Sequence, residues 1–100
     1  MKGAPDIIAT VRFLSRGEGG RESSTPPEVF RCMFGYEDEL FDCGLLLKGI
    51  GSLAPGRTER VPIQFLWPEY VKPRLRPGSR FILREAHKIA EGIVEEIIPG

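Results

Sequence analysis

The sequence predicts an all-β domain. Two observations carry that prediction: a series of short runs in which apolar and polar residues alternate, and clusters of Gly, Pro and Ser that separate them. Only one segment, near the C-terminus, has apolar spacing that also suits a helix.

The elements follow in order. Residues 5–14, PDIIATVRFL, are rich in β-branched and aromatic side chains and carry no helix cap, which suits a strand after a short flexible start at residues 1–4. Residues 15–27, SRGEGGRESSTPP, combine glycines with two prolines, so neither a helix nor a ladder is expected and the segment reads as a long exposed loop. In EVFRCMF, residues 28–34, Phe30, Cys32 and Phe34 share one face, the period of a half-buried strand. GYEDE then turns the chain, LFDCGLLLKGI reads as a third strand, and Pro55-Gly56 marks another turn. The fourth strand, RVPIQFLW, places Val61, Ile63, Phe65 and Trp67 on one side, with Trp67 read as core. Pro62 lacks an amide donor, so this strand should lie at an edge or bulge there. PEYVKPRLRPG, with three prolines, reads as a partly extended connection, and SRFILREA as a fifth strand with Phe81 and Leu83 inward. The last segment, IAEGIVEEII, is ambiguous. Ile89, Ala90, Ile93, Val94, Ile97 and Ile98 fall at helical spacing, yet Gly92, the β-branched content and the missing cap favour a strand that a bulge near Gly92 would reconcile with the pattern.

Bulk properties bound the function. One hundred residues, 41% of them hydrophobic, make one domain over residues 1–100. Fourteen Lys+Arg balance fourteen Asp+Glu, so no overall positive field draws the chain onto nucleic acid or anionic membrane. The apolar runs are far shorter than the roughly 20 residues needed to span a bilayer, and no secretory core follows Met1, so no membrane association is expected and the expected location is the cytoplasm. Cys32 and Cys43 lack CxxC spacing and read as reduced core thiols.

Taken in order, LSRGEGGR, the Pro55-Gly56 turn, FLWP, GSRFILRE and EGIVEEII resemble the C-terminal third domain of elongation factor Tu and related translational GTPases, here standing alone. The resemblance runs from about residue 6 to residue 98. Gly19, Gly20, Arg21, Arg80, Phe81, Arg84 and Glu85 fall on the motif positions. It implies a six-stranded antiparallel closed barrel of Greek-key type, with the last segment as a strand; closure removes sheet edges. It also implies that loop 15–22, with Arg16, Gly19, Gly20 and Arg21, and hairpin 86–88, with Lys88, face transfer RNA. The chain departs from the family where Glu22 replaces a histidine and where Ala86-His87-Lys88 replaces Gly-Gly-Arg.

The candidate sites point to binding rather than catalysis. No GxxxxGK[ST] loop is present, so nucleotide binding by this chain alone is not expected, nor is a cofactor. His87, the sole histidine, reads as an exposed turn residue, since a metal site or triad needs further partners. The acidic group Glu37, Asp38, Glu39 and Asp42 lacks the calcium-loop spacing and reads as a solvated turn. Arg84 and Glu85 should face opposite ways, with Arg84 pairing across the barrel. Tyr70, beside Lys72, Arg74 and Arg76, combines an aromatic anchor with the most basic stretch of the chain. The expectation is a non-catalytic module that binds a protein partner; the alternative is RNA binding through Arg16, Arg21, Arg74, Arg76 and Lys88.

Overall fold

The computed structural model describes residues 4–100. Six antiparallel strands, β1 (Ile7–Phe13), β2 (Val29–Tyr36), β3 (Glu39–Leu46), β4 (Thr58–Phe65), β5 (Arg80–Arg84) and β6 (Lys88–Ile97), close into a barrel in the order β1-β4-β3-β2-β5-β6. The hairpin-linked β2, β3 and β4 take β1 beside β4, a Greek-key arrangement. Of the expected flexible start, residues 1–3 lie outside the described residues; the exposed Ala4 accepts from Gln64 Nε2 at 3.0 Å.

Alternation fills the interior. Ile7, Ala9, Val11 and Phe13 of β1, Phe30 and Phe34 of β2, Cys43 and Leu45 of β3, Val61, Ile63 and Phe65 of β4, and Phe81 and Leu83 of β5 are all buried. Phe34 is central, stacked on Phe81 at 4.3 Å and edge-on to Phe65 at 4.9 Å. Cys32 and Cys43 are free thiols directly opposed on β2 and β3, their Sγ atoms 3.7 Å apart. The contact with Cys32 and then burial push the Cys43 thiol well above its ordinary pKa. Among the described residues, no buried side-chain polar atom lacks a hydrogen-bond partner.

The ambiguous C-terminal segment is a strand with two bulges, neither at Gly92. Its register against β1 jumps from Ile8↔Glu96 to Ala9↔Val94, making Glu95 the extra residue. Against β5 it jumps from Leu83↔Ala90 to Arg84↔Lys88, making Ile89 the extra one. Each bulge reverses the side-chain phase, so Ile89 and Ala90 are both buried and Val94 and Ile97 both pack on the core. That is how a strand acquires helix-like spacing. Pro62 is accommodated as its missing donor requires. The Ile63 carbonyl faces β1, accepting from Asp6, so Pro62 faces the β3 side, where pairing stops at Leu45↔Ile63.

Two expected irregular segments are more ordered than read. Arg16–Glu18 forms a 3₁₀ turn with a complete capping box: Ser15 Oγ accepts from the Glu18 amide, and the Glu18 carboxylate from the Ser15 amide. The loop is not wholly exposed either. Thr25 is buried, its hydroxyl accepting from the Leu53 amide at 2.9 Å. The proline-rich connection is not extended: it folds into a helical turn α1 (Pro68–Val71) and a 3₁₀ turn (Lys72–Arg74). Pro68 and Pro73 sit in the first turn of each, where a missing amide leaves no bond unmade. Val71 and Leu75 pin the segment to the core. Among the described residues, no helix is long and apolar enough to cross a membrane.

Candidate functional site

Where β4 ends, the chain turns Trp67 outward. The β4 ladder stops at Phe65, the Leu66 amide donates to the Asp42 carbonyl at 3.1 Å, and Trp67, kept out of the helical region by the following proline, stands at φ −125°, ψ 74°. Trp67 is therefore 56% exposed, correcting its assignment to the core, and Tyr70, one helical turn on, is 67% exposed. Both line a concavity of about 440 Å³ with Glu39, Leu40, Phe41, Asp42, Val71 and Arg74. The exposed Leu66 adjoins it. Thus three of the five large apolar side chains most exposed among the described residues, Leu40, Trp67 and Tyr70, gather in one concavity, and a fourth, Leu66, is next to Trp67 in the chain.

Arg74 forms the wall of this concavity. Its guanidinium donates to Glu39 Oε1 at 2.9 Å and Glu37 Oε1 at 3.1 Å, and lies 5.5 Å from the Phe41 ring centroid and 5.9 Å from that of Tyr36. Hydrogen bonding to Glu37 first, and then to Glu39, holds its pKa above the ordinary arginine value. Lys72, expected to extend this basic stretch outward, reaches back instead to Asp6 Oδ1 at 3.7 Å and the Ile98 carbonyl at 2.6 Å. Arg76 is exposed; its backbone amide donates to Ser79 Oγ at 3.0 Å and its carbonyl accepts from the Ser79 amide at 2.9 Å.

The other predicted elements, loop 15–22 and hairpin 86–88, do come together. Arg16, Gly19, Gly20, Arg21 and Glu22 line one shallow cleft with Glu85 and His87. Its cations are engaged within the molecule. Arg21 Nη1 meets Glu85 Oε2 at 2.6 Å, its guanidinium lies 4.8 Å from the Phe30 ring, and its side chain is only 17% exposed. Arg16 Nε donates to the Glu22 carbonyl at 2.8 Å; Lys88, which does not line the cleft, pairs with Glu91 at 3.0 Å. The glycines shape the backbone: Gly19 closes the 3₁₀ turn at φ +90°, and a Cβ on Gly20 would lie 2.2 Å from the Leu14 carbonyl oxygen. Among the described residues Arg84 pairs with no carboxylate across the barrel; it donates to the Ala86 carbonyl at 3.0 Å. His87 is an exposed turn residue, and no group of three metal-ligating side chains occurs among the described residues.

A larger concavity, about 850 Å³, runs over the outer face of β1, β6, β5 and β2. Its apolar lining, chiefly Ile82 and Ile93, is half-buried, and Arg12 is tied to Glu18 and Glu91. Among the described residues, the one exposed large apolar side chain that lines it is Leu40, which with Glu39 also lines the aromatic concavity.

Sequence reasoning found Tyr70 and Arg74 but missed Leu40, Leu66 and the outward turn of Trp67. The signal was present in FLWP, since the residue before a proline that opens a helix has left its strand. Searched against protein-family models and curated proteins, the chain gives no match.

Proposed function

We propose that this barrel is a non-catalytic binding module that engages another protein through the Leu40, Leu66, Trp67 and Tyr70 surface. The observation that carries the reading is the exposure of Trp67 and Tyr70 side by side over Leu40 and Phe41. Tryptophan and tyrosine are the side chains that most often dominate protein interfaces, and exposing this many together leaves apolar surface that a partner would remove from water. Charge neutrality supports the same reading, as do the intramolecular pairs of Arg21, Arg74 and Lys88, which lower the charge available to a phosphate backbone. We read the protein as a relative of the third domain of elongation factor Tu acting in the cytoplasm. Its closed six-stranded barrel supports that kinship and its free thiols the location.

One observation favours RNA as a second reading: loop 15–22 and hairpin 86–88 converge in a single cleft. Affinity capture from a cell extract with four forms of the protein separates the two. Trp67→Ala and Tyr70→Ala should each lose a bound protein that the wild type and Arg16→Ala/Arg21→Ala retain. Bound RNA lost only with the arginine variant would transfer the function to the cleft, and identical captures by all forms would reject both surfaces.

A further inference from the structure

Resting on that reading, we infer that the partner of the aromatic surface presents a cationic segment, lysine or arginine flanking an aliphatic or aromatic anchor. Charge at the rim is the first ground. Glu39 and Asp42 line the concavity, Glu37 and Asp38 form the adjoining β2–β3 turn, and Glu69 stands between Pro68 and Tyr70. Against these five carboxylates, two lining the concavity and three beside it in the chain, the lining offers one cation, Arg74, already shared by Glu37 and Glu39. Lys72 is turned away to Asp6, Arg31 of β2 lies over Gly44, and neither Arg31 nor the exposed Arg76 lines the concavity. Asp38, Asp42 and Glu69 have no ion pair among the described residues.

Arg74 supplies the second ground, because the surface already holds one guanidinium in the manner proposed. It is gripped by two carboxylates with aromatic faces beneath it, so ion pairing and cation–π attraction act on the same group. Trp67 and Tyr70 offer two further aromatic faces, both uncovered, beside Asp42 and Glu69. An incoming lysine or arginine would repeat the Arg74 arrangement there, while its apolar neighbour settled against Leu40 and Leu66. An acidic partner would bring like charges together at the rim.

Trp67 is the only tryptophan, so its fluorescence reports directly on this surface. The protein is titrated with a capped pentapeptide alternating lysine with leucine, with a counterpart carrying glutamate for lysine, and with one carrying serine for leucine. The lysine–leucine peptide should shift Trp67 emission saturably and weaken with added salt. The other two should bind at least about tenfold more weakly, and Asp42→Asn/Glu69→Gln should weaken the first about fivefold or more without changing the far-UV spectrum. Equal or tighter binding of the glutamate peptide would overturn the cationic assignment while leaving the interface in place. So would concentration-dependent self-association, abolished by Trp67→Ala, with no peptide bound, since the occupant would then be a second copy. Unchanged Trp67 emission with every peptide also overturns it, and the capture experiment then decides independently whether the surface binds protein at all.

Discussion

Gly92 faces the barrel interior, where a Cβ would lie 2.4 Å from Phe81 Cζ and 2.9 Å from the Thr10 carbonyl oxygen. Phe81 cannot yield freely, being stacked on Phe34. Gly92→Ala should therefore destabilise the fold by about 1–3 kcal/mol through overpacking, measured by chemical denaturation. On the outer surface, Arg12 joins Glu18 at 3.0 Å to Glu91 at 3.2 Å, and Glu91 in turn accepts from Lys88. The hydrogen bond from Arg12 is the main reason the Glu18 carboxyl falls from 4.5 to about 2, and Lys88 is the main reason Glu91 is also lowered. Because both acids bind protons less readily when folded, the stabilisation each gives is complete above its unfolded pKa and is lost as pH falls through its lowered one, which for Glu18 is about 2. Glu18 is exposed and Glu91 half-buried, both within reach of solvent, so thermal melts should show a shallow acid-side decline that salt weakens and Glu18→Gln flattens.

At the scale of elements, the β2–β3 hairpin turns on Glu37 (φ 48°) and Asp38 (φ 67°), the left-handed pair of a type I′ turn built without glycine. Asp38→Gly should stabilise by about 0.5–1 kcal/mol, the relief of a left-handed non-glycine residue less the added freedom of the unfolded chain, read from the denaturation midpoint. Glu37 must stay, since Arg74 binds it. How much of each element could be read from sequence depended on whether local pattern governed it. β1, β2 and β4 were legible because each presents one alternating face to a single core. β6 was not, because its two bulges are set by pairing with β1 on one side and β5 on the other, and no local pattern states where a neighbour's register will jump. Trp67 was misplaced for a related reason: alternation was carried two residues beyond the last paired one, Phe65.

Across the whole molecule, electrostatics was the least legible property. Arg21 reads as a free loop cation until folding brings it to Glu85, 64 residues away, and Arg74 until it meets Glu39, 35 residues away. The aromatic surface is likewise assembled from β3, the end of β4 and α1, so only Tyr70 stood out in sequence. The barrel itself depends on such distant joins: β1 pairs with β4 on one side and β6 on the other. Folding is expected on the millisecond-to-second scale typical of small barrels, in one cooperative step that stopped-flow fluorescence of Trp67 should follow. The β1–β6 seam has one more consequence. Ile7 stands opposite Ile97, and the Ile98 amide donates to the Asp6 carbonyl at 2.9 Å, so the first and last strands run side by side. Topologically the chain is almost a ring. Joining residue 100 to residue 4 with a few glycines and serines, and opening the backbone at the exposed Lys48-Gly49, should give a circular permutant that folds to the same barrel and keeps the Trp67 surface intact.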